Sequence, residues 1–354
     1  VGPTRAVRTI AEAARIATNG STIEIDAGDY LGDVAVFAQT NLTVRGVGGR
    51  PRLDASGNSA EGKAIFVIRG DNVEVDNLLF TNARVPDQNG AGIRHETGRL
   101  VVKNSVFVDN EMGVLTGNAQ TQTLEIYNSE FGNNGFGDGF SHNIYAGQIG
   151  KFVLQGSYVY KARIGHLVKT RAKESHIFYN RITDGADGTA SYEIDLPNGG
   201  QAYIVGNIIE QGPGSPNSTI VSYGAEGLVW SANELHFAHN TVLNNKATVN
   251  AVFIRTPPSS SAQLVNNLYT GPGTFAFGGT VTRSGDQSAS PSEFVDAGGY
   301  DLRLNAGSAL IGAGVDAGSA NGVSLTPAFE YVHPRTLRAI TTRRSPGAYQ
   351  TTGP

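Results

Sequence analysis

The sequence has no cysteine, one methionine and one tryptophan in 354 residues. Without Cys there are no disulfides, no thiolate metal sites and no catalytic thiols. Charge is also scarce: 16% of residues are charged, and the formal net charge is −4. Nucleic-acid binding needs a basic face, so that class of partner is excluded. No apolar run approaches the roughly 18 residues of a membrane span. The chain begins at Val1 rather than Met. That reads as a mature or trimmed chain, with a secreted or periplasmic location expected. A monomer is expected.

Glycine, by contrast, is abundant at 46 residues, and asparagine is plentiful and clustered. Both tolerate positive φ, which suits a fold with many tight bends. One unit recurs: alternating apolar residues, then Asn, then one or two apolar residues and a turn. It appears as NVEVDNLLFTN (72–82), LVVKNSVFVDN (100–110), LEIYNSEFGNN (124–134), FVLQGSYVYKA (152–162), HIFYNRITDG (176–185), YIVGNIIEQG (203–212), LHFAHNTVLNN (235–245) and QLVNNLYTG (263–271).

Aligned on Asn77, Asn104, Asn128, Gly156, Asn180, Asn207, Asn240 and Asn267, the steps are 27, 24, 28, 24, 27, 33 and 27 residues. Alternation with a period of two marks strands. The intervening segments are too short and Gly-rich for crossover helices. Each unit is therefore one coil of a solenoid that buries its face by stacking on its neighbours. Stacked Asn amides at one coil position would form a hydrogen-bonded ladder.

The expected architecture is all-β: a right-handed parallel β-helix forming one domain over residues 1–354. Residues 1–30 form an N-terminal cap, 31–271 the coils, and 272–354 the final partial coils and an irregular tail. In the cap, Val7, Ile10, Ala14 and Ala17 fall at helical spacing, and Gly20 stands where a helix C-cap is expected.

Each coil has a second strand 11 to 14 residues before its Asn, such as GIRHE (92–96), GVLTG (113–117), HNIYAG (142–147), HLVKTRA (166–172), YEIDLPNG (192–199), IVSYGAEG (220–227) and VFIRTPP (252–258). With Ile93, Val114, Ile144, Val168 and Ile194 pointing inward, Arg94, Leu115, Tyr145, Lys169 and Asp195 point outward together. Asn143, Arg171 and Glu193 are expected on the same face, with His142 and His166 adjacent. Arg94 and Arg255 would close the groove at its two ends. The same pattern is also what a solvated salt-bridge ladder would look like, and a stacked His pair needs only a hydrogen-bond partner. His176, His236 and His239 lie on the Asn-bearing strands and read as structural.

The opening helix, STIEIDAGDY (21–30), the coils, SALIGAGVDAG (308–318) and SPGAYQ (345–350) together resemble the bacterial right-handed β-helix proteins of the pectate-lyase-like superfamily. The resemblance implies the fold. It leaves the chemistry open among lyases, hydrolases, esterases, epimerases and tailspikes.

β-Elimination in a uronate polymer requires a group to neutralise the carboxylate, a base for the C5 proton and an acid for the leaving oxygen. Arg171 suits the first role. Lys169 suits the base, and Tyr145 the acid, or the base in a version using His142 or His166. Asn143, Arg94, Arg255 and Asn198 are candidate substrate contacts. Glu193 and Asp195 are candidate Ca²⁺ ligands, with Asn143 or Asn198 nearby. Some β-helix alginate lyases have a similar set: a Lys base, an Arg partner and carboxylate-bound Ca²⁺. The expected activity is thus a polysaccharide lyase acting on an acidic glycan. Alternatives are a glycoside hydrolase using Glu193 and Asp195, a uronate C5-epimerase and a non-catalytic glycan-binding β-helix.

Overall fold

In the computed structural model of the chain, residues 1–247, 251–341 and 345–350 are described. Among them, three parallel sheets of eleven, eleven and ten strands wind together as a β-helix. Each coil gives one strand to each sheet in turn. The first sheet runs from Thr22–Asp26 to Thr280–Ser284, the second from Asp29–Leu31 to Gln287–Ser288, and the third from Ala35–Phe37 to Thr274–Phe277. Coils thus begin before residue 31 and continue beyond residue 271.

Strands of two to five residues turn alternate side chains inward, so the interior is a set of columns running along the axis. In the second sheet one column reads Leu53, Phe80, Phe107, Phe131, Val159, Ile182, Ile209, Val242 and Tyr269. Phe80, Phe107 and Phe131 stack with centroids 4.8 and 4.7 Å apart, matching the rung spacing.

The Asn repeat resolves into two positions, not one. Asn77, Asn104 and Asn128 share their register with Gly156, Tyr179, Gly206, His239 and Asn266, and all have positive φ. They make the bend between the first and second sheets, where Gly156 and Gly206 adopt the left-handed conformation without a Cβ clash. One residue later the chain turns inward again. There the peptide N–H of Leu78 donates to Ser105, Ser105 to Ser129, Ser129 to Ser157, Ser157 to Asn180, Asn180 to Asn207, Asn207 to Asn240, and Asn240 to Asn267, at 2.9 to 3.2 Å. The ladder ends on Asp286, whose Oδ1 accepts from the Asn267 peptide at 2.8 Å.

The cap helix is shorter than its apolar spacing suggests, covering only Ile10–Ile16. Thr9 caps it by accepting from Glu12 N at 3.1 Å. Asp33 takes the Ile10 and Ala11 N–H groups at 2.6 and 3.0 Å. Ile10, Ala13 and Ala14 seal the first coil. Gly20 stands beyond the helix in a separate turn, with φ of 82°.

The tail folds back along the outside of the coils in three short antiparallel hairpins. Phe294, Leu302, Leu304 and Tyr331 cover Ile208, Leu243 and Leu268 of the second sheet. Ala317 and Leu325 cover Tyr203, Val205, Ala238 and Val265 at the end of the first. Neither set of tail contacts includes a residue of the third sheet.

Candidate functional site

The third sheet has the register expected from its sequence. Ile93, Val114, Ile144, Val168, Ile194, Val221 and Ile254 form an inward column. Their successors Arg94, Leu115, Tyr145, Lys169, Asp195, Ser222 and Arg255 form the outward one. One residue past the paired Ala146 and Thr170 stand Gly147 and Arg171. Arg171 therefore rises beside a position with no side chain.

Arg171 organises the centre. Its Nε donates to the Tyr145 phenol oxygen at 2.9 Å, and its Nη1 donates to Asn198 Oδ1 at 2.7 Å. Its Nη2 pairs with Glu226 Oε2 at 2.6 Å. Burial opposes the guanidinium charge, but the bonds to Glu226 and Tyr145 more than offset it. Because the phenol oxygen of Tyr145 accepts from Arg171, its own proton is free to be donated elsewhere. Lys169 Nζ lies 3.8 Å from Asp195 Oδ2, 3.7 Å from Glu226 Oε1 and 5.4 Å from the Tyr145 ring centroid. Asn198 is buried behind Arg171, and its amide donates to Gly227 O at 3.3 Å. It positions the guanidinium.

His142 and His166 stack at 4.5 Å beneath this cluster. His142 Nδ1 accepts from the His166 peptide at 2.9 Å. Burial lowers the pKa of both, with Lys169 and Arg171 adding to the effect; His142 also feels His166 and falls well below the usual range, while His166 falls to about 3. His166 Nε2 is 3.5 Å from Asp195 Oδ2. With a neutral imidazole this contact is no ion pair. Asp195 is itself pushed up to about 6 by burial, although Lys169 pulls the other way.

Two residues expected on this face do not stand there. The strands Ile144–Ala146 and Ile194–Leu196 are only three residues long. The position before each lies in the corner between sheets, where alternation breaks and a second consecutive side chain turns inward. Asn143 is fully buried, and its Oδ1 accepts from Asn134 N and Nδ2 at 3.2 and 2.8 Å. It closes a second ladder, above Asn110 and Asn134. Glu193 is fully buried in the same column as Leu167 and Ile220, with neither carboxylate oxygen hydrogen-bonded. Burial, then Asp184 and Glu210, raise its pKa well above the carboxylate range.

Glu193 and Asp195 therefore point to opposite sides of the wall. They form neither a joint Ca²⁺ ligand set nor a hydrolase carboxyl pair. Among the described residues no group of three His, Asp or Glu side chains is placed to hold a metal.

The ends of the groove also differ from each other. Arg94 lies 3.3 Å from Glu96 and lines a cleft that adjoins Tyr145. Arg255 stands two rungs past Asp195, where it donates to Thr219 Oγ1 at 3.2 Å and covers the Phe277 ring. It does not meet the cluster.

Glu226 and Trp230 belong to the site without having been singled out from sequence. The Trp230 indole donates to the Arg171 carbonyl at 3.2 Å. Both sit in the loop after Thr219–Tyr223, inside the coil whose Asn-to-Asn step is 33 residues. That lengthened step was the available signal of a functional insertion.

No family model matches the chain, and no curated protein matches it. Among solved structures it is similar to the crystal structure of pectate lyase Pel9A, with a TM-score of 0.66 and 14% sequence identity. The match covers 97% of this chain and 90% of that one. The fold is therefore that of a pectate-lyase-like β-helix.

Proposed function

We propose that the protein is a polysaccharide lyase that cleaves a uronate-containing glycan by β-elimination on the outer face of the third sheet. The observation that carries this reading is Glu226. Its carboxylate lies against both Arg171 and Lys169, at 2.6 and 3.7 Å, and its side chain is 49% exposed. The chain thus fills, from an exposed loop, a seat shaped for one carboxylate between two cations. A substrate uronate exchanging with Glu226 would be clamped by Arg171 and would uncover Lys169, which is otherwise almost buried.

In the roles this geometry supports, Arg171, held by Asn198, neutralises the carboxylate and makes the C5 proton acidic. Lys169, after releasing its own proton to solvent, takes the C5 proton as the free amine and returns to the ammonium form. The Tyr145 hydroxyl delivers a proton to the leaving oxygen, which departs as the C4–C5 double bond forms. His166, with a pKa of about 3, is a weak base at neutral pH and serves as packing beneath Asp195.

The test is incubation with a panel of uronate polymers, following the ultraviolet absorbance of the unsaturated sugar end. Growth of that absorbance with wild type, and its loss with Lys169→Ala and Tyr145→Phe, is expected. Chain shortening without unsaturation would refute elimination.

A further inference from the structure

Beyond Tyr145, toward the N-terminal coils, the third sheet opens into a cleft of about 310 Å³. Tyr145 is its shared wall with the Arg171 cluster, Arg94 lies on its floor, and Asp87, Asn89, Asp138 and Phe140 stand around it. Arg94 lies three rungs from Lys169, about 14 Å at the usual strand spacing.

Phe140 is 80% exposed, yet its loop is tied down. Asp138 Oδ1 accepts from Phe140 N at 2.9 Å, Ser141 N at 3.3 Å and Ser141 Oγ at 3.2 Å. Ser141 Oγ in turn accepts from Phe136 N at 2.6 Å. An aromatic ring held in water by its own backbone network is preorganised for a ligand with an apolar face.

The charges of the cleft decide what that ligand is. Arg94 shares Glu96 with Lys63: its Nε lies 3.3 Å from that carboxylate without a hydrogen bond, while Lys63 donates to it at 2.8 Å. Asp87 and Asp138 both line the cleft and make no ion pair among the described residues; Asp138 Oδ1 is taken up by its own loop, which leaves Oδ2 for a ligand. A uronate carboxylate placed there would meet like charge. Sugar hydroxyls, as donors, would meet acceptors.

We infer that this cleft is a subsite for an uncharged pyranose stacked on Phe140, so that the polymer filling the groove is mixed, with a uronate at Lys169 and Arg171 and a neutral sugar beside Phe140. The uronate half rests on the proposed lyase reading. The neutral-sugar half rests on the cleft alone.

The experiment is equilibrium binding, read by the fluorescence of Trp230, the only tryptophan, whose indole touches Arg171. The probes are polygalacturonate, which is uronate throughout, and a backbone alternating galacturonate with rhamnose. The alternating polymer is expected to bind about tenfold more tightly, with Phe140→Ala removing that preference, since one aromatic contact is of that size. Phe136→Ala, on the same loop but outside the cleft, is expected to leave it intact. Equal or tighter binding of polygalacturonate, an unchanged preference in Phe140→Ala, an equal loss in Phe136→Ala or no binding of either polymer would overturn the subsite. Formation of unsaturated ends is scored separately. A Phe140-dependent preference without unsaturation defeats the lyase and keeps the subsite, and the converse defeats the subsite and keeps the lyase.

Discussion

Replacing Asp195 by Asn is expected to make the protein gain stability on wild type as pH rises from acid to neutral. The carboxyl of Asp195 is buried, and its pKa is raised from 3.8 to about 6. The folded state therefore holds a proton that the unfolded chain has released. Stability falls as pH rises between those two values, and the loss is complete above the folded one. A gap of about two pH units corresponds to about 3 kcal/mol, at about 1.4 kcal/mol per unit. Asn has no such linkage. Any fixed effect of the substitution cancels when the two proteins are compared across pH. Between about pH 4 and pH 8 the variant should gain roughly 2 to 3 kcal/mol on wild type, which for a chain of this size is a relative rise in Tm of about 3 to 4 °C. Thermal unfolding of both proteins over that range measures it. A difference that does not change with pH would refute the burial argument. A variant that loses ground as pH rises would show that Lys169 wins over desolvation and that Asp195 is an ordinary ion-pair partner.

Glu226→Gln should lower KM for a uronate polymer several-fold, because it weakens the internal carboxylate that competes with substrate. A raised KM in steady-state kinetics would mean that Glu226 orients Lys169 instead. Asn207→Ala should cost about 2 to 6 kcal/mol, since it strands the buried Asn180 N–H and Ile177 C=O at about 1–3 kcal/mol each. Asn104→Gly, at a bend with φ of 48°, should stay within about 0.5 kcal/mol by denaturant unfolding. Glu193→Gln should gain stability relative to wild type as pH rises above the usual carboxylate range, and show no gain in acid, because the raised pKa of Glu193 makes its ionisation destabilising. Unfolding at acid and neutral pH checks the sign.

The solenoid was legible because period-two strands recur at about one coil length, and the outward column Tyr145, Lys169 and Asp195 followed from alternation within single strands. Where the reading slipped, one residue type was meeting two physical demands. Asn77 and Asn104 supply positive φ, whereas Asn180 and Asn207 supply a buried amide one position later. Aligning on the letter merged them. The apolar pattern separates them: Leu78, not Asn77, occupies the inward place that Asn180 fills. Asn143 and Glu193 were misplaced for a related reason. Alternation was carried past the end of three-residue strands into a corner, where two inward residues follow each other. Glu226 and Trp230 reach the site from a loop, and no strand periodicity reports on where a loop folds.

The plainest competing account of the charged cluster is a surface salt-bridge ladder, and the first sheet shows what such a ladder looks like in this protein. There Lys103–Glu74, Arg99–Glu125 and Lys151–Glu174 close to 2.6–2.8 Å, and their basic side chains are 40 to 44% exposed. Water carries most of the charge, and the carboxylates of Glu125 and Glu174, although burial opposes it, are held below their usual pKa by those partners. On the third sheet Lys169 and Asp195 are 3.8 Å apart with side chains 11% and 5% exposed, and the Asp195 pKa moves the opposite way. Such a pair is too distant to repay its desolvation and weakens the fold it sits on. A wall that needed only solubility would repeat the first-sheet pattern. Holding Lys169 and Asp195 dry and loosely paired, beside an Arg171 closed onto the exposed Glu226, makes sense if an incoming carboxylate completes the arrangement.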